Sequence, residues 1–163
     1  MLTQVHGLPV HVLLVHLTVV LVPSAAALAV AQAWYPPVRR WAGPLSPLLC
    51  LAALVMVPIT KSAGQWLQKQ LHPTPLIQRH AQLGNQLLPW VAALFVLSLA
   101  GWLLERRASE AREVGRPVPA LGSARLQLVV AVLLTVAAVG TVVQVIRVGD
   151  SGAKAVWTGV LPS

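Results

Sequence analysis

Four blocks of apolar residues, spanning 8–33, 45–67, 82–104 and 121–148, leave this chain few ways to fold. About 20 helical residues cross the ~30 Å of hydrocarbon in a bilayer, where every backbone N–H and C=O must be bonded within the protein. Strands of a membrane barrel are only ~10 residues long and alternate in polarity, which none of these blocks does. The second block is the least uniform, because Thr60, Lys61 and Ser62 interrupt its later part. The links WYPPVRRWAGP, KQLHPTPLIQR and ERRASEAREVGRPVPALGSAR are short, the first broken by paired prolines and the second by two prolines. Short links place consecutive helices antiparallel, so the expected fold is all-α: an integral membrane up-and-down four-helix bundle, with residues 1–163 forming one transmembrane domain.

Composition agrees: 56% of residues are hydrophobic and 10% charged, against roughly 25% charged in a soluble domain. The net charge of +8 is therefore no sign of nucleic acid. The twelve Lys and Arg sit mostly between apolar blocks or near their ends, where they orient helices and meet anionic headgroups. No basic stripe with interleaved aromatics and no Gly-rich phosphate loop is present, and the lipid bilayer is the expected partner. Cys50, the single cysteine, excludes an internal disulfide and a thiolate cluster. The N-terminus MLTQVHG carries no Lys or Arg, which argues against a cleaved signal peptide.

Seven Lys and Arg go with the first and third links, and five (Lys61, Lys69, Arg79, Arg147 and Lys154) lie towards the middle link and the C-terminal end. The positive-inside rule then places both termini outside and the chain as a multi-pass protein of the inner (plasma) membrane. Counting about 20 residues from each cytoplasmic end puts the outer boundary near Leu13, Gln65, Gly84 and Ile146. His6, His11, His16, His72 and His80 all fall on that outer side, with Asp150 the one acidic residue among them. The cytoplasmic half is expected to hold nothing comparable. Ionisable groups gathered at one membrane boundary indicate a functional site. His6 and His72 read best as solvated or structural, whereas His16 lies inside the apolar zone. Thr141, Gln144 and Arg147 share one face of the fourth helix and point to the histidine level. Pro23, Pro58 and Pro89 offer kinks that would open the bundle there. Gly101 and Gly140 suit close helix packing, and the six tryptophans mostly suit interfacial anchoring.

Hydrolytic chemistry lacks its parts: no G-x-S-x-G, no H-E-x-x-H, and so no catalytic residue to name. Haem b asks only for one or two histidines from facing helices at similar depth. His16 and His80 are the preferred axial ligands to haem iron, with His11 as substitute or neighbour. Lys61, Arg79 and Arg147 are candidate propionate partners, and Gln144 a further cofactor-binding residue.

LPVHVLLVHL, QRHAQLGNQLLPW and VIRVGDSGAKAVW together resemble one bacterial family, the predicted four-helix membrane proteins of domain of unknown function 2231. The resemblance covers nearly the whole chain, and its hallmark positions map to His11, His16, His80, Gly149, Ser151 and Gly152. Many members carry His where this chain has Asp150. The resemblance to proteins joined to Rieske-type or cytochrome c-type modules implies electron transfer. In GDSGAKAVW the glycines and serine are expected to turn the chain, letting Trp157 fold back over the bundle mouth. The leading expectation is a haem b electron-transfer protein served by quinone or by a larger respiratory or redox complex. A non-catalytic accessory subunit, and a divalent-metal protein using His11, His16, His80 and Asp150, are the alternatives.

Overall fold

The computed structural model describes residues 4–5, 8–115 and 124–158. His6, Arg116 and the start of the fourth expected span lie outside the described residues. A two-residue antiparallel pairing, β1 (Gln4–Val5) with β2 (Leu8–Pro9), precedes five helices. They are α1 (Val10–Trp34), α2 (Pro36–Ala42), α3 (Leu45–Gln68), α4 (Pro75–Glu113) and α5 (Ala124–Trp157). Four are long and apolar enough to cross a membrane, α2 being a single short helix in the first link.

Local chemistry sets the ends. Pro36 starts α2 at a position where its missing N–H costs nothing, and Gly43 follows its end with a φ of 49°. The Thr74 side chain accepts from the Ile77 N–H at 3.2 Å, capping α4, with Pro75 in its first turn. Pro23, Pro58 and Pro89 lie inside α1, α3 and α4, and each helix continues through its proline. At 39 and 34 residues, α4 and α5 outrun the expected spans 82–104 and 121–148. The largest departure is at the C-terminal end: GDSGAKAVW is helical through Trp157 rather than a turn, so Trp157 does not fold back as a lid.

α1 packs on α3 and α5, and α4 packs on the same two helices, which leaves α1 and α4 diagonally opposed. The up-and-down sense follows from side-chain bonds that join helix starts to helix ends: Thr18 to Thr60, Ser46 to Ser98 and Trp34 to Thr135. Between the polar ends the core is built of small residues and a few larger ones. Ala25, Ala29, Cys50 and Ala53 are buried with Val22, Val57, Val91 and Leu94. Large apolar side chains such as Val20, Val55, Val96 and Val139 instead face outward. Lipid tails are as apolar as these side chains, so this inside-out pattern carries no penalty in a bilayer.

Gly140 shows how close the helices come. A Cβ there would overlap the ring of Trp90, so Trp90 is a wedge between α4 and α5 rather than a boundary anchor. Gly140→Ala is expected to destabilise the protein by about 1–3 kcal/mol through overpacking. Thermal unfolding in detergent checks this, and Trp90→Ala in the same chain should make the Gly140→Ala change nearly neutral. A melting temperature unmoved by Gly140→Ala would contradict the wedge.

Candidate functional site

Two imidazoles meet at the end of the bundle where α1 and α4 begin. His11 on α1 and His80 on α4 lie with ring centroids 6.4 Å apart and planes at 75°. They come from the two diagonally opposed helices, so each ring rests against one of the other two. His11 Nδ1 lies 3.0 Å from the Thr60 carbonyl oxygen of α3. His80 Nδ1 lies 3.1 Å from the Val148 carbonyl oxygen of α5 and 3.1 Å from Ser151 Oγ. A carbonyl oxygen only accepts, so in both rings Nδ1 carries the proton and donates. In the neutral form of such a ring the lone pair is on Nε2, the tautomer that metal-ligating histidines adopt when a carbonyl holds the other nitrogen.

The same local device receives both rings. Gly64 stands four residues after Thr60, and Gly152 four residues after Val148. In a helix the side chain at i+4 leans back over the turn that contains carbonyl i. With glycine at i+4, that carbonyl is open to a second donor besides its helical partner. A Cβ on Gly64 would lie 2.8 Å from His11 Cε1, and one on Gly152 would lie 3.0 Å from His80 Cε1. The glycines are the seats of the imidazoles.

Directly inward, Thr18 Oγ1 bonds Thr60 Oγ1 at 2.8 Å and also donates to the Leu14 carbonyl. Gln144 Nε2 donates to the Leu83 carbonyl at 2.7 Å, joining α5 to α4 one turn from His80. Ser151 donates to the Val148 carbonyl at 2.8 Å while facing His80, so the carbonyl, the hydroxyl and the ring form one cluster.

Measured against expectation, the structure gathers some of the residues and separates others. His11 and His80 come together, but His16 does not join them. It is exposed on the outward face of α1, and its Nδ1 bonds the Val12 carbonyl of its own helix at 2.6 Å. The five-residue step from His11 to His16 turns about 140° around a helix, which puts His16 on the far side. Asp150 is paired with Lys154 at 2.8 Å on the exposed side of α5. Among the described residues no three His, Cys, Asp or Glu side chains group to hold a metal ion. The four-ligand set of His11, His16, His80 and Asp150 is thus not assembled. Thr141 and Gln144 are buried as their shared face predicts, whereas Arg147 is exposed and lines a small cleft with Arg79, Asp150 and Lys154. Lys61 is half-buried beside Thr60, and His72 is exposed in the link before α4.

Sequence reading passed over Thr18, Gly64 and the acceptor role of Thr60. The spacing of Thr60 and Gly64, repeated by Val148 and Gly152, is the signal that could have found them. The opposite end is not bare either. There Arg39 bonds Glu105 at 3.3 Å, and the buried Ser46 and Ser98 hydroxyls bond at 2.8 Å.

The family model described as predicted membrane protein (DUF2231) matches residues 7–161. The chain belongs to that family. The matched stretch holds both histidines and both glycine seats. Comparison with curated proteins and with solved structures gives no match.

Side-chain 15N NMR of the purified protein tests the seating. His11 and His80 are expected as Nδ1–H tautomers, and Gly64→Ala should shift His11 away from that form while leaving His80 unchanged. An Nε2–H tautomer for His11 in the parent protein would rule the arrangement out.

Proposed function

We propose that this family member is a small multi-pass protein of the inner membrane that binds haem b between His11 and His80 and passes electrons through it. The observation that carries the reading is the pair itself: two imidazoles from diagonally opposed helices, each with Nδ1 held by a backbone carbonyl, which leaves Nε2 as the nitrogen for a ligand bond. The ring centroids stand 6.4 Å apart, with planes at 75°. His11 and His80 are the residues that would hold the iron.

The charges around the rings suit the same group, whereas the packing leaves it no open space. Gly64 and Gly152 remove side chains from α3 and α5 at the level of the rings. Lys61, Arg79 and Arg147 stand near the ring level, where propionates need cations. In the packing described, the two rings fill the clearance beside the glycines, and Thr18, Thr60 and Gln144 close the bundle below them. A macrocycle therefore enters only with α3 and α5 parting at this end. When bound, haem would supply a one-electron couple.

The protein's own part is to hold both rings in one tautomer, to keep water from the inner side through the Thr18–Thr60 pair, and to fix α5 against α4 through Gln144. Gln144 is on this reading a positioning residue. Loop charge, seven Lys and Arg against five, supports placing the histidine end and both termini on the outer side. Quinone or a larger redox complex would exchange the electron.

A dithionite-reduced minus oxidised spectrum of protein expressed with haem supplied is the test. The expected result is a sharp α band that His11→Ala and His80→Ala abolish and His16→Ala retains. A colourless, well-folded preparation would overturn the reading. Stoichiometric copper or zinc in that preparation would assign the same two imidazoles to a bare ion. Its absence would leave them as a lock between helices in an accessory subunit.

A further inference from the structure

The bundle has a second polar cavity at the end opposite the histidines, of about 210 Å³. It lies between α1, α3, α4 and α5, with apolar walls from Ala29, Leu97, Val130 and Leu134 among others. Gln32, one of the residues lining it, has a polar atom with an unmet need. Gln32 is only 8% exposed, and its Oε1 has no hydrogen-bond partner among the described residues. The amide cannot be turned to relieve this. Its Nε2 donates to the Gly43 carbonyl at 2.8 Å, and reversing the group would set two acceptors against each other. Gln32 thus presents a fixed, buried acceptor, and an unsatisfied buried acceptor is costly.

The charged groups in the wall are already paired. Arg39 is paired with Glu105 at 3.3 Å, and Arg112 reaches the same carboxylate at 3.7 Å. Arg106 is paired with Glu110 at 2.8 Å and lies over the Trp102 ring at 5.6 Å. Ser46 and Ser98 bond each other. No charged side chain in the lining is left over for an anionic head such as a phosphate. What the cavity lacks is one neutral donor. The space is also much larger than one internal water requires. A compact ring carrying a hydroxyl, delivered from the membrane, meets both conditions.

We propose that this cavity binds the head of a membrane-soluble quinol, whose hydroxyl donates to Gln32 Oε1. The site selects the reduced form, because the matching quinone carries only acceptors where the donor is needed. Only binding is proposed. Gln32 stands 21 residues along α1 from His11, about 31 Å at the helical rise, so this site stands or falls separately from the histidine pair.

The test uses the whole protein in nanodiscs of defined phospholipid and three probes: decylbenzoquinol, its quinone, and its dimethyl ether. Binding is followed by tryptophan fluorescence, with Trp102→Phe to identify the reporting ring. Saturable binding of the quinol, about tenfold tighter than of the quinone or the ether, is expected. Gln32→Leu should erase that difference, and Gly101→Leu, which fills the cavity from α4, should abolish saturation. Equal binding of all three probes, or partitioning without saturation, would overturn the proposal and leave the cavity holding internal water only. The comparison of probes needs no variant, so it decides the question even if a substitution fails to fold.

Discussion

In hydrocarbon, helices gain nothing from hiding apolar surface from one another, and this bundle is built around that fact. What holds α1, α3, α4 and α5 together has to be close backbone approach and hydrogen bonds between helices, each worth on average about 0.6 kcal/mol. The core accordingly consists of alanines and a few branched residues, with the larger valines and leucines turned outward. The polar bonds fall at the two ends: Thr18 with Thr60 and the two histidines at one, Gln32, Arg39, Ser46 and Ser98 at the other. Each end is thereby pinned, and the middle is left to packing alone.

That arrangement decides what the histidines can be. A charged imidazole between four apolar helices would be expensive, and among the described residues no acidic side chain is bonded to His11 or His80. Both donate instead to carbonyls, which needs only a neutral ring. The neutral ring is also the form whose free nitrogen binds a metal. Structural economy and ligand chemistry therefore favour the same tautomer, which is why a polar lock and a cofactor site look alike until a spectrum is taken.

The four spans were legible because bilayer thickness and backbone hydrogen bonding admit so few solutions for long apolar blocks. Which histidine faces inward was less so. Depth counting placed His16 inside the apolar zone and so favoured it, but depth says nothing about rotation around the helix. The exposure of His16 follows from the 140° step that separates it from His11, and that step could have been weighed against the helix's inward face. The buried stripe of Thr18, Val22, Ala25, Ala29 and Gln32 marks that face, and His11 sits one helical repeat above Thr18. GDSGAKAVW was misread for another reason. Two glycines within four residues signal a turn by local propensity, yet α5 runs through both. At Gly152 the tight seat of His80 explains the residue, whereas nothing in the structure explains Gly149.

The second polar end escaped notice because its parts are ordinary one by one. A glutamine near a helix end, two serines, and an arginine with a glutamate carry no pattern in sequence. They become informative only when the fold shows that, among the described residues, Gln32 Oε1 is the buried side-chain acceptor left without a partner. The histidine end is the opposite case, since there the pattern exists in sequence but at a spacing not usually searched. An acceptor carbonyl followed at i+4 by glycine occurs on α3 and again on α5, helices that are diagonal to each other and each beside both histidine-bearing helices. A glycine inside a helix costs roughly 1 kcal/mol relative to alanine. A chain that carries two such seats at one level accepts that cost twice to hold two imidazoles against helix backbones, and simple helix packing would have been served as well by alanine and leucine.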